Sequence, residues 1–200
     1  MKAACIGRNY PDHAKELGNQ VPDEPVFFLK PASAFVPTGS PIRLPSFSQE
    51  VQYEAELVLR IGAGSPGTAL PGLEAFTIGL DLTARDVQNE LKMKGLPWEK
   101  AKAWDGSAVL GEWLPLAGRD PDDLAFDLTI NDGLVQSGST AEMIFSVQEL
   151  LAHVTRYITL GPGDVLFTGT PQGVGRLEHG DRIQGRCDGE VVLLTSVTQV

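Results

Sequence analysis

Two glutamates, Glu54 and Glu56, stand inside the aliphatic and β-branched run VQYEAELVLRIG, residues 51–62. Side chains alternate across a strand, so residues two apart face the same way, roughly 7 Å from one another. Tyr53, Ala55, Leu57 and Leu59 then line one apolar face, while Glu54 and Glu56 open the other, followed by Val58 and Arg60. Two readings of the pair stand open. It is the charged outer face of a half-solvated sheet, or it is a hard-cation site, because carboxylates this close repel unless a cation sits between them. Asp81, in GLDLTARD, is either a turn or capping aspartate or the third member of a carboxylate set. Oxygen-only ligands suit Mg2+, Mn2+ or Ca2+ rather than zinc or copper.

His13 and Glu16 lie three apart in DHAKE, on one face of a helical turn. A histidine oriented by a carboxylate is a general-base pair, and the same letters also describe an ordinary charged surface helix. Lys30 follows three apolar residues in FFLKPASAF, and Lys102 has lysines at 94 and 100 beside it, so spacing singles out neither. The stretch FTGTPQGVG, residues 167–175, offers backbone amides and the Thr170 hydroxyl to an anion, or is a plain glycine turn. No phosphate-binding loop, nucleophile elbow, zinc-protease helix or dinucleotide fingerprint is present.

The elements that must position these groups are short. Gly (22) and Pro (14) punctuate the whole chain, which favours many strands joined by turns. Strands are expected near 3–6, 26–30, 51–61, 76–82, 124–130, 164–168, 182–187 and 191–197, the last two flanking a DGE hairpin turn. Helices are expected at 84–94, stopped by KGLP, and in SVQELLAHVTRYI, where Ser146 and Glu149 make a capping box. A short one is expected at YPDHAKEL, with Pro11 in its first turn. The 200 residues, 42% apolar and 21% charged, predict one β-rich α+β domain spanning 1–200. A net charge of −10 argues against nucleic-acid and anionic-membrane partners. Two distant cysteines, no apolar run of transmembrane length and no signal-peptide pattern at MKAACIG place the expectation in the cytoplasm.

Taken together, five segments in order resemble the fumarylacetoacetate hydrolase superfamily, in particular its short acylpyruvase, fumarylpyruvate hydrolase and oxaloacetate decarboxylase-type members. They are IGRNYPDHAKELGN, PVFFLKPASAFVPTGSPI, VQYEAELVLRIG, IGLDLTARDVQNELKMKGLPWEKAKAWDGSA and MIFSVQELLAHVTRYITLGPGDVLFTGTPQGVG, covering nearly the whole chain. The resemblance implies a mixed β-sandwich roll that holds one Mg2+ or Mn2+, or Ca2+ in crystals, through Glu54, Glu56 and Asp81. It implies catalytic roles for His13 and Glu16, carried on a mobile lid at 8–19, and for Lys102. Substrate contacts fall on Arg8, Arg85, Gln88, Lys30, Gly169 and Thr170, and a homodimer is implied. Pro11 stands where relatives usually carry alanine and Ser139 where many carry asparagine, while Glu99 and Trp104 differ near the pocket. None of these removes a ligand or the His–Glu pair.

The activity so implied is hydrolysis of the C–C bond of acylpyruvates, such as acetylpyruvate or fumarylpyruvate, to pyruvate and a carboxylic acid. His13, oriented by Glu16, would take a proton from water, and Lys102 would face the developing oxyanion. The same electron sink also serves oxaloacetate decarboxylation or tautomerisation, or isomerisation of 2-oxo diacids. A non-enzymatic alternative is a β-rich domain that binds a divalent cation.

Overall fold

The computed structural model describes residues 1–16, 18, 20–37, 39–64 and 70–199. Its larger sheet runs Val26–Lys30, Ala3–Gly7, Val165–Phe167, Ala55–Ile61, Leu73–Asp81 and Ala108–Leu110, with Leu114–Pro115 also against Leu73–Asp81. A second sheet runs Gly133–Ser139, Ala125–Ile130, Arg182–Cys187, Glu190–Gln199 and Ile42–Leu44. A third, small one joins Gly175–Arg176, Val51–Tyr53 and Thr83–Ala84. Both larger sheets are mixed: Ala3–Gly7 pairs Val165–Phe167 in parallel, and Glu190–Gln199 pairs Ile42–Leu44 in parallel.

The two-residue alternation sets the layers. Tyr53, Ala55, Leu57, Leu59 and Ile61 point into the main core with Phe76, Ile78 and Leu80 of the larger sheet and Leu128, Ile183 and Leu193 of the second. Val58 points the other way, beside Cys5, Val165 and Phe167. Each fully buried leucine stabilises the fold by about 2 kcal/mol over an exposed one. A one-residue slip would exchange that face for the glutamates, so the pairing of Leu57 with Ile78 and Glu56 with Gly79 is strongly specified.

Local signals place the ends of elements. Asp188 and Gly189, at φ 48° and 79°, turn the hairpin that joins Cys187 to Glu190. Four α-helices are described: α1 (Pro11–Glu16), α2 (Arg85–Met93), α3 (Glu99–Lys102) and α4 (Val147–Thr155). Ser146 and Glu149 cap α4 reciprocally. Helix α2 ends where Gly95 takes φ 62°, its N–H reaching Lys92 O at 3.2 Å and the Leu96 N–H reaching Leu91 O at 2.9 Å.

The structure departs from expectation at one informative place. The strand expected over 51–61 is two strands, Val51–Tyr53 and Ala55–Ile61, broken at Glu54. At the break, side chains replace the sheet: Ala55 N–H donates to Gln136 Oε1 at 2.9 Å, and Ala55 C=O accepts from Thr170 Oγ1 at 2.8 Å. The strands Ile42–Leu44, Ala108–Leu110 and Gly133–Ser139 and the one-turn α3 were not expected, being short or glycine-containing. Cys5 and Cys187 are buried free thiols; burial, and then Asp188 and Asp127, push Cys187 up to about 12.

Candidate metal centre and active site

Glu54 sits at the break, Glu56 one pleat further on, and Asp81 ends the neighbouring strand, its N–H donating to Glu54 O at 2.9 Å. The antiparallel register therefore sets Asp81 across from Glu54 and diagonal to Glu56, which pairs with Gly79. One carboxylate oxygen from each of the three lies within 4.8 Å of the others. Glu54 is 6% exposed and Glu56 and Asp81 are 1%. The solvated-face reading of the E-x-E pair is thereby excluded.

Three cations surround these acids. Lys102, delivered by α3, donates to Glu54 Oε2 at 2.7 Å, Asp81 Oδ2 at 2.7 Å and Thr83 Oγ1 at 2.6 Å. Arg85, opening α2, donates to Glu54 Oε1 at 2.5 Å, Gln88 Oε1 at 2.6 Å and Gln52 Oε1 at 2.7 Å. Lys30 Nζ lies 2.8 Å from Asp81 Oδ1, but its protons go to the carbonyls of Leu82, Ser107 and Lys102. Burial alone would raise Glu54, yet Lys102 and Arg85 outweigh it and hold this carboxyl well below its usual range. Glu56 is pushed the opposite way by burial and by Asp81 and Glu54, against the Gly169 N–H that donates to it at 2.7 Å. For Lys102, burial is overcome by Asp81 and Glu54, so its pKa is raised.

The donor set fits a hard divalent ion. Asp81 Oδ1 is buried and accepts no hydrogen bond from the described residues, its charge being met by the Lys30 ammonium at 2.8 Å, so its lone pairs remain open to a cation. Glu56 forms no ion pair among the described residues, and a divalent charge among the three oxygens would relieve the repulsion that raises it.

The backbone between the ligands is clamped from outside the sheet. Gln136 Nε2 donates to Thr170 Oγ1 and to Pro171 O, both at 2.9 Å, while its Oε1 holds Ala55. Gly169, at φ 104°, packs so closely on Asn9 that an added Cβ would meet Asn9 Cβ at 2.8 Å. Close packing of this kind lets its amide reach Glu56.

A small cleft opens above the acids, with a free volume of about 40 Å³. Arg8, His13, Phe28, Lys92 and Trp98 line it beside the carboxylates. His13, 5% exposed, faces Glu16 Oε2 through Nδ1 at 3.1 Å, and Glu16 Oε1 accepts the Gly173 N–H at 3.1 Å. With Nδ1 engaged by a carboxylate, Nε2 has no partner among the described residues and can take or give a proton.

Residues 2–198 match the family described as Fumarylacetoacetate (FAA) hydrolase C-terminal. The chain belongs to this family. It is 40% identical over 198 residues to "Oxaloacetate tautomerase FAHD1, mitochondrial" of Homo sapiens, covering 96% of this chain and 90% of that protein. It is 41% identical over 194 residues to "Oxaloacetate tautomerase YcgM" of Escherichia coli, covering 94% and 89%. Among solved structures it is similar to fumarylpyruvate hydrolase from Pseudomonas aeruginosa in complex with Mn2+ and pyruvate. That match has a TM-score of 0.91 and 37% identity, and covers 100% of this chain and 90% of that one. The fold is the β-rich roll of the fumarylacetoacetate hydrolase family.

Within this family member, the residues singled out from sequence fall in different places. Arg8, His13, Gln88, Lys102 and Thr170 line the cleft with the three carboxylates. Gly169 acts through its amide on Glu56. Arg85 reaches the cleft with its Nε and both terminal nitrogens engaged, and the Thr170 hydroxyl proton is committed to Ala55 O. Lys30, expected to touch substrate, is 0% exposed and stands behind Asp81, 2.8 Å from its Oδ1. Of the expected lid segment 8–19, Leu17 and Asn19 lie outside the described residues. Gln136 escaped the sequence reading, because a glutamine in GLVQSGS carries no pattern. Lys92 escaped it too, although its spacing from Arg85 and Gln88 was available.

Proposed function

We propose that the protein interconverts the keto and enol forms of a 2-oxo acid, with oxaloacetate the favoured substrate, at one Mg2+ or Mn2+ held by Glu54, Glu56 and Asp81. The observation that carries this reading is the buried three-carboxylate cluster with His13 Nε2 free beside it. The names of the human and Escherichia coli relatives support it over acylpyruvate hydrolysis. When bound, the ion supplies Lewis-acid stabilisation of negative charge on the 2-oxo oxygen.

The chain's own groups do the rest. His13, its Nδ1 turned to Glu16, takes the proton from the carbon beside the 2-oxo group. The C–H electron pair becomes the C=C bond, and the charge lands on the 2-oxo oxygen. The imidazolium then returns its proton to that oxygen, giving the enol, and the reverse sequence restores the ketone. Lys102 keeps positive charge against Glu54 and Asp81 and so holds both carboxylates in place. Closing of α1 over the cleft, latched by Glu16 on Gly173, keeps bulk water from the carbanionic carbon.

The test is the ultraviolet decay of enol-oxaloacetate with protein and Mn2+, set against Mn2+ alone. Acceleration that EDTA abolishes supports the reading, and equal decay with and without protein overturns it. A second reading, hydrolysis of acylpyruvates, is favoured by the same His13–Glu16 pair, which equally suits removal of a proton from water. A higher kcat/KM for pyruvate release from acetylpyruvate than for oxaloacetate tautomerisation would make hydrolysis the main activity.

A further inference from the structure

The cations around the cleft divide into two sets. Lys30 and Lys102 each face carboxylates of the cluster or carbonyls around it with all three ammonium protons placed, and Arg85 is ion-paired with Glu54. Arg8 and Lys92 line the same cleft, and neither has an acidic partner among the described residues.

Both are held where they are. Arg85, Gln88 and Lys92 occupy positions i, i+3 and i+7 of α2, within about 60° of arc, so all three project toward the cleft. The Lys92 ammonium rests over the Trp98 ring, 5.4 Å from its centroid, and Trp98 meets the edge of Phe28 with centroids 6.4 Å apart. Of the charges facing Lys92, Arg85, Arg8 and Lys102 repel it, and Glu54, which attracts it, is already engaged by Arg85 and Lys102. Arg8 has φ 61°, a left-handed backbone that non-glycine residues rarely adopt. The fully buried Asn9 fixes that turn: its Oδ1 accepts from Phe145 N and its Nδ2 donates to Thr168 O, both at 2.9 Å. Strained backbone of this kind clusters at active sites and ligand clamps.

We propose that Arg8 and Lys92 receive a second carboxylate, at the far end of the substrate, so that the protein selects 2-oxo diacids over 2-oxo monoacids. This rests on the reading above, in which the carboxylate and 2-oxo group of the substrate meet the ion site. The two sites then divide one molecule: the acidic cluster with its ion takes the head, and the unpaired cations take the tail. Phe28 and Trp98 wall the space between them, lowering the local dielectric in which the tail charge is met.

Lys92→Met keeps an unbranched chain over Trp98 and removes the charge. The KM for oxaloacetate is expected to rise roughly tenfold. The inhibition constant of oxalate, which needs only the ion site, is expected to stay within about twofold, and Lys92→Arg is expected to restore oxaloacetate affinity. Arg8→Met gives the same contrast from the other side. Equal shifts for oxaloacetate and oxalate, or no shift for either, would overturn the proposal. If the wild-type protein accelerates no oxaloacetate reaction, the functional reading fails, and calorimetric competition against oxalate in Mn2+-loaded protein still decides this one. A preference for oxaloacetate over pyruvate that Lys92→Met erases supports the second-carboxylate site. Absence of that preference in the wild-type protein overturns it.

Discussion

The two sides of the cleft are built on opposite principles. The floor carries three carboxylates on paired strands, and nearly every polar atom there has a fixed partner: Lys102, Arg85, the Gly169 amide and the Gln136–Thr170 clip. The wall that carries His13 is α1, six residues long, reached by a single described bond from the body of the fold to Glu16, that of the Gly173 amide. A hard ion needs its ligands preplaced, because rearranging buried carboxylates after binding would cost free energy that a rigid floor avoids. A proton-transfer group must instead let substrate in and products out, and segments that move are drawn from the weakly held end of a structure. Under the proposed function, precision on strands and access on a short helix are separate tasks solved by separate elements.

Substitutions can break this contrast, and the floor should yield the largest effects. Glu56→Gln should abolish calorimetric Mn2+ binding and lower turnover by at least about a thousandfold; near-normal affinity would show that Glu56 is not a ligand. His13→Gln should leave Mn2+ affinity within about twofold while tautomerisation falls roughly a hundredfold. A matching loss of metal affinity would mean that the two sides are not separable. Gln136→Leu touches neither ion nor substrate, yet it frees the Ala55 N–H and loosens the strand between the glutamates. Mn2+ affinity should weaken roughly tenfold, by the logic of groups that orient metal ligands. Thermal unfolding should report a cost of about 1–3 kcal/mol for the buried amide left without a partner. The mildest change is Glu16→Gln, whose amide oxygen can still face His13 Nδ1 or the Gly173 amide. A fall in kcat of roughly fivefold with unchanged Mn2+ affinity would confirm that the wall tunes the proton step alone.

The E-x-E spacing, the aspartate after an apolar run and the order of five motifs made the carboxylate set legible without coordinates. The two-residue period of a strand put Glu54 and Glu56 on one face, and the family resemblance implied that they and Asp81 hold an ion. The Ser146–Glu149 cap and the Gly95 helix stop were legible for a similar reason, being contacts between residues close in the chain. Ser48, by contrast, donates to Asp86 across 38 positions, and nothing local announces it.

From its own letters the sequence determined the β-rich class and the core face of the strand at 55–61, and its resemblance to a family implied which acids hold an ion. Tertiary structure alone decided which cations are committed to those acids and which are left for a ligand. Lys30, Lys92 and Lys102 look alike in sequence; one is entombed behind Asp81, one rests over Trp98 with no acidic partner among the described residues, and one bridges Glu54 and Asp81. The physical reason is that a charge's role depends on its partners and its dielectric surroundings, both set by residues tens of positions away.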